Sequence, residues 1–137
     1  MEVKWIKPDK LNDILAQDVI GWRLSSVNYA DHELNYDALW STNSEADFRI
    51  AYANDEGRTF TASSWNPIVN LSHVHEILNV ADSYLINKRT DCYGCLIVFG
   101  DKIGTFEHKN YNLCIIHASL SAFYPDIEFK IAGLEDA

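Results

Sequence analysis

The sequence predicts an α+β domain, an antiparallel-rich β-sheet with about three helices packed on it in layers. Three observations carry that reading. Apolar residues recur at helical spacing in three stretches and alternate with period two in others. The two kinds of stretch interleave, in the order helix, strands, helix, strands, helix, strand. No linker, internal repeat or low-complexity stretch divides the 137 residues, so 1–137 reads as a single domain with a short polar tail from about 133.

The first helix is expected from about Pro8 to Ile20. Pro8 suits a first turn, Leu11, Ile14, Leu15 and Val19 form an apolar stripe, and Gly21 stops it. Residues 23–47 are polar and acidic, with a strand expected near Asn35 to Trp40. Phe48, Ile50 and Tyr52 alternate with Arg49, Ala51 and Ala53, as in a half-buried strand. Asn54-Asp55-Glu56-Gly57 supplies the turn of a hairpin whose return strand is Arg58 to Ser63. A second helix is expected from Ser72, as its cap, to Asn87, burying Val74, Ile77, Leu78, Ala81 and Leu85. Cys92 to Phe99 is apolar almost throughout and reads as a central strand covered on both sides. Ile103 to Glu107 is its hairpin partner after Gly100-Asp101-Lys102, Tyr111 to Phe123 is the third helix, and Ile127, Phe129 and Ile131 mark a last strand.

Composition excludes several function classes. With 11 basic against 20 acidic residues the net charge is −9, which excludes a general binder of duplex nucleic acid. The longest strongly apolar run, Cys95 to Phe99, is far short of the ~20 residues of a membrane-spanning helix. The first eight residues carry charges through their apolar positions, unlike a signal-peptide core. Three cysteines argue against a secreted disulfide framework. A soluble protein of a reducing cytosol is the expectation.

No phosphate loop, GxGxxG, GxSxG or HExxH occurs, and no catalytic residue, cofactor or metal is expected. Cys92-Tyr93-Gly94-Cys95 is the one redox-like or zinc-like spacing. It leads into a strand, where a helix dipole cannot activate the first thiol and residues three apart face opposite ways. His73 and His75 diverge by ~200° on a helix and cannot share an ion there. Two surfaces remain. Asp31, Glu33, Asp37, Glu45 and Asp47 belong to the more acidic part of the chain and offer a partner-binding face for a basic protein. Arg58, Lys88, Arg89, Lys102, His108 and Lys109, with Trp65, are the candidate ligand-binding set for a small anion such as a nucleotide, if the fold gathers them.

Three segments resemble the NinX-like proteins of lambdoid phages, small phage proteins with an α-β-α sandwich domain. They are Leu11-Asn-Asp-Ile-Leu-Ala-Gln-Asp-Val-Ile-Gly-Trp22, Phe60-Thr-Ala-Ser-Ser-Trp65 before an amphipathic helix, and Asn112-Leu-Cys-Ile-Ile-His-Ala-Ser-Leu120. The resemblance implies a layered α/β fold and a phage accessory product. The expected function is therefore non-catalytic binding, directed against a host defence system by capture of a defence protein or of a small nucleotide signal, with a homo-oligomer compatible with either. One alternative is an acidic mimic of nucleic acid that inhibits a host DNA-binding protein or nuclease. Another is a redox or metal protein using Cys92 and Cys95.

Overall fold

The computed structural model describes residues 1–22, 52–53, 59–60 and 65–135. Strand β1 (Glu2–Ile6) opens the chain, and helix α1 (Pro8–Ile14) follows, with Pro8 in the turn where its missing N–H costs nothing. The helix continues as a π-helical stretch, Leu15–Ile20, which Gly21 closes at φ 87°. The Trp22 amide then donates to the Ala16 carbonyl at 2.8 Å. Of the expected hairpin, β2 (Tyr52–Ala53) and β3 (Thr59–Phe60) are described and pair antiparallel, Tyr52 opposite Phe60. The strand expected near 35–40, and all of 23–51 and 54–58, lie outside the described residues.

Helix α2 (Leu71–Val80) is capped by Asn70, not by Ser72. The Asn70 Oδ1 accepts from the Ser72 and His73 amides at 3.0 and 3.3 Å. The expectation that this helix runs to Asn87 is overturned. Ala81 turns to ψ 144°, the Asp82 amide donates to the Val98 carbonyl at 2.8 Å, and Ser83–Lys88 becomes strand β4. Every residue of β4 has a partner on the next strand, so sheet pairing outweighs the helical spacing of Ala81 and Leu85.

Strands β4, β5 (Tyr93–Phe99) and β6 (Lys102–His108) form an antiparallel sheet in that order. Helix α3 (Tyr111–Phe123), capped by the Asn110 side chain, lies across β5 and β6. The π-helical stretch and α2 pack on α3 and on each other. Strand β7 (Ile127–Ile131) pairs in parallel with β1, from Glu2 opposite Ile127 to Ile6 opposite Ile131. This is the α+β architecture expected, with a parallel pair added. Strand β1 has no counterpart among the expected elements: its run of five residues is interrupted by the charged Glu2 and Lys4, and four of the five are exposed. A second correction concerns β5, whose Leu96 is 41% exposed. Among the described residues α3 covers the strand on one face, and Leu85, Leu96 and Ile103 share the other through their pairing.

The core joins Leu11, Leu15, Val74, Ile77, Ile97, Ile115, Ile116 and Ile131, none measurably exposed. At its centre α3 rests directly on the backbone of β6. A Cβ placed on Gly104 would lie 1.8 Å from the Ala118 carbonyl oxygen and 2.7 Å from the Ala122 nitrogen. Beside that contact the Ser121 hydroxyl accepts from the Thr105 amide at 3.2 Å. Gly104→Ala therefore forces strand and helix apart and should lower unfolding stability in urea by ~3 kcal/mol. Gly94→Ala is the control: its Cβ would meet only the Arg89 side chain, at 3.5 Å, and stability should move by less than ~1 kcal/mol.

Candidate functional site

The end of the sheet where β4 stops, β5 starts and β6 stops gathers most of the chemistry. Lys88, Tyr93 and His108 are register partners there. Just beyond β4, the exposed Arg89 lays its guanidinium over Gly94, which has no side chain to displace it. From there its Nη1 donates to the Glu107 carboxylate on β6. A concavity of about 530 Å³ opens on this side of the sheet, lined by Leu85, Asn87, Arg89, Gly94, Leu96, Thr105 and Glu107 among others.

On the opposite, helix-covered side of the same sheet end lies a second group. His108 ends β6, His117 projects from the middle of α3, and Glu135 reaches back from the turn after β7. That turn is closed by the Glu135 amide, which donates to the Ile131 carbonyl at 2.9 Å, with Gly133 at φ 84°. Nε2 of His117 lies 2.9 and 3.2 Å from the two Glu135 oxygens, and Nε2 of His108 lies 3.0 Å from one of them. The Ile131 amide donates to the same carboxylate at 3.1 Å. Phe106 stacks on the His117 ring at 4.5 Å, and the two imidazoles are nearly parallel at 5.8 Å.

Two imidazoles and a carboxylate are a zinc-type donor set, so the fit to a metal needs testing. It fails at His108. The Asn110 backbone N–H donates to His108 Nδ1 at 2.9 Å, so Nδ1 holds a lone pair and the neutral ring carries its proton on Nε2. Nε2 is then a donor to Glu135 and has no lone pair for an ion. A metal-bound His shows the reverse arrangement, its second nitrogen donating outward. The three groups form a hydrogen-bonded carboxylate clasp.

The electrostatics agree with that reading. Burial holds the His117 imidazole below its ordinary value, against the attraction of Glu135. Burial alone would raise Glu135, but the His117 charge and the donors from Ile131, His117 and His108 together bring it below the usual carboxylate value. The His117 charge acts only once that ring is protonated. At neutral pH the hydrogen bonds stabilise the carboxylate.

The fold gathers only part of the basic set singled out from sequence. Lys88 and Arg89 share the sheet end just described, and exposed Lys109 follows β6 at that end. Lys102 pairs with Phe99 at the far end, ~20 Å away along the strands, with its Nζ 5.7 Å over the Phe123 ring. His108 faces the helix side. Trp65 is an interior residue, 1% exposed, its Nε1 donating to the Asn12 carbonyl at 2.8 Å and its ring stacked on His73. Arg58, and the acidic Asp31, Glu33, Asp37, Glu45 and Asp47, lie outside the described residues.

Cys92, Cys95 and Cys114 are free thiols. Burial pushes the Cys95 thiol up to about 12, and the Cys114 Sγ lies 3.2 Å from the Tyr93 carbonyl oxygen. His117 and Glu135 were not singled out from sequence. They stand 9 and 27 positions from His108, so no local spacing links them; the one signal is a histidine inside the apolar run Leu113–Leu120.

Among the described residues no helix is long and apolar enough to cross a membrane. No family model matches the chain, and no curated protein matches it. Among solved structures, a phage protein from Bacillus cereus is similar at a TM-score of 0.49. The match covers 85% of this chain and 92% of that one, at 9% identity.

Thiol burial has a measurable consequence. At pH 8 iodoacetamide should alkylate half-exposed Cys92 in the native protein and leave Cys95 and Cys114 unmodified, as peptide mapping would read. Equal labelling of all three would mean that β5 does not bury its cysteine.

Proposed function

We propose that the chain acts by binding, and that it takes a small organic anion such as a nucleotide on the open face of β4–β5–β6. The observation that carries this reading is the concavity of about 530 Å³, within the range of roughly 300–1,000 Å³ common for small-ligand sites. Leu85 and Leu96 supply an apolar floor, Asn87 and Thr105 supply polar groups, and Arg89 supplies a cation. Lys88, the register partner of Tyr93 and through it of His108, points to the opposite face, so Arg89 is the cation of this site.

Glu107 does not close the site to an anion. Arg89 and Glu107 are each more than half exposed, and exposed pairs are worth only ~0–1 kcal/mol, so an incoming phosphate or carboxylate competes at small cost. The guanidinium also has five N–H donors, more than one carboxylate takes up. The chain's charge of −9 opposes approach from a distance, and screening beyond a Debye length of ~8 Å leaves the exposed guanidinium to act locally. Capture of this kind needs affinity and abundance and no catalytic group. The phage accessory setting, with a host defence signal as the ligand, is what the resemblance of the three segments adds. Capture of a defence protein, or mimicry of nucleic acid, would use the acidic residues between 31 and 47, which lie outside the described residues; the open-face reading is the one the geometry favours.

Native mass spectrometry and calorimetry with a panel of cyclic and linear nucleotides test this. The protein should retain at least one of them. Arg89→Ala should weaken that binding by at least about tenfold, the weight of a charge-assisted hydrogen bond. Lys102→Ala, at the far end, should leave it unchanged. A wild-type protein that ignores the whole panel, or an Arg89→Ala variant that binds as tightly, would remove the reading.

A further inference from the structure

The carboxylate of Glu135 receives donors from three elements that are distant in sequence: the Ile131 amide at the end of β7, His117 on α3 and His108 at the end of β6. Among the described residues the turn has three other backbone bonds: the Ala132 amide donates to the Ile6 carbonyl of β1 at 2.8 Å, and the Leu134 and Glu135 amides return to Ile131, while the Leu134 side chain is 54% exposed. The other charged or titratable neighbours are Glu128 on β7, whose charge acts on His117, Lys130 at 3.9 Å from Glu128, and Cys114 on α3, which is bonded to the His108 backbone.

We propose that Glu135, His108 and His117 form a proton-operated clasp, which ties the C-terminal turn to β6 and α3 at neutral pH and lets it go on acidification. Each protonation step works against the closed form. A proton on His117 places a cation on a ring whose side chain is 3% exposed. A proton on Glu135 removes an acceptor that three N–H groups share.

The direction of the pH dependence follows. The folded His117 binds its proton less readily than the unfolded ring, so the unfolded state takes up protons first as pH falls through 6.5. The folded Glu135 is likewise lowered, so its contribution is lost as pH falls below 4.5. Both changes weaken the closed form on the acid side, and the imidazole acts first.

Hydrogen exchange of the peptide spanning 131–137, compared at pH 7.5 and 5.0 after correction for intrinsic rates, tests the clasp. Protection in that peptide should fall by at least roughly tenfold at pH 5.0, while the α3 peptide keeps its protection. Glu135→Gln should show the low value at both pH values. Unchanged wild-type protection across this range, or a Glu135→Gln variant that behaves as wild type, would overturn the proposal. A third arm adds one equivalent of zinc at pH 7.5, which should leave the melting temperature and the C-terminal protection unaltered. A zinc-dependent rise that His117→Ala abolishes would make the three groups a metal centre and overturn the clasp. If Glu135→Gln fails to fold, the wild-type titration and the zinc arm decide the question.

Discussion

The contact between Gly104 and the backbone of α3 sets the geometry of the rest. A helix resting on a strand through its own carbonyl and amide atoms sits closer than side chains would allow, and only a residue without Cβ permits it. Ala118 and Ala122 continue the same economy from the helix side, and the Ser121 hydroxyl bonds the β6 backbone there. That closeness also fixes distances away from the contact. Phe106, two residues along β6, meets His117 face to face, and His108 brings its Nε2 to the carboxylate that His117 also reaches. A wider spacing of helix and strand would leave Glu135 able to serve one imidazole and not both.

The two faces of the sheet therefore carry different chemistry at one end. On the helix side, polar groups are enclosed, and each must find its partner inside the protein, which explains why one carboxylate takes three donors. On the open side, Leu85 and Ile103 stand 59% and 62% exposed, and the Arg89–Glu107 pair is shared with solvent. Alternate residues of β6 serve the two faces in turn: Glu107 points to the open concavity, while Phe106 and His108 contact His117. A hydrogen-bonded network on one face and an exchangeable ion pair on the other follow from the pleat of a single strand.

The tautomer of His108 shows how a backbone group can decide side-chain chemistry. The Asn110 amide is the first N–H of the chain as it enters α3, and its direction is set by that residue's role as helix cap. Donation to Nδ1 assigns the imidazole proton to Nε2, and so makes His108 a hydrogen-bond donor to Glu135 and a poor metal ligand. The three functional groups alone, taken without Asn110, would suggest a metal site.

Local periodicity determined much of the element list. The stripe of Leu11, Ile14, Leu15 and Val19, the apolar run into β5, the third helix from Tyr111 to Phe123 and the alternation of Ile127, Phe129 and Ile131 were all legible, because each depends on residues within a turn or two of one another. Proline and glycine punctuation also set the start of α1 at Pro8 and the end, at Gly21, of the π-helical stretch that continues it. The tertiary structure alone decided the rest. Leu85 belongs to a helical pattern by spacing yet sits on a strand, because pairing with β5 satisfies every residue from Ser83 to Lys88. Trp65, an attractive ligand residue by type, is consumed by the core. The parallel union of β1 with β7 joins the two ends of the described chain, and no local pattern encodes a partner so far away. His108, His117 and Glu135 meet for the same reason: convergence of single residues from separate elements is a property of packing distance, which composition and spacing do not contain.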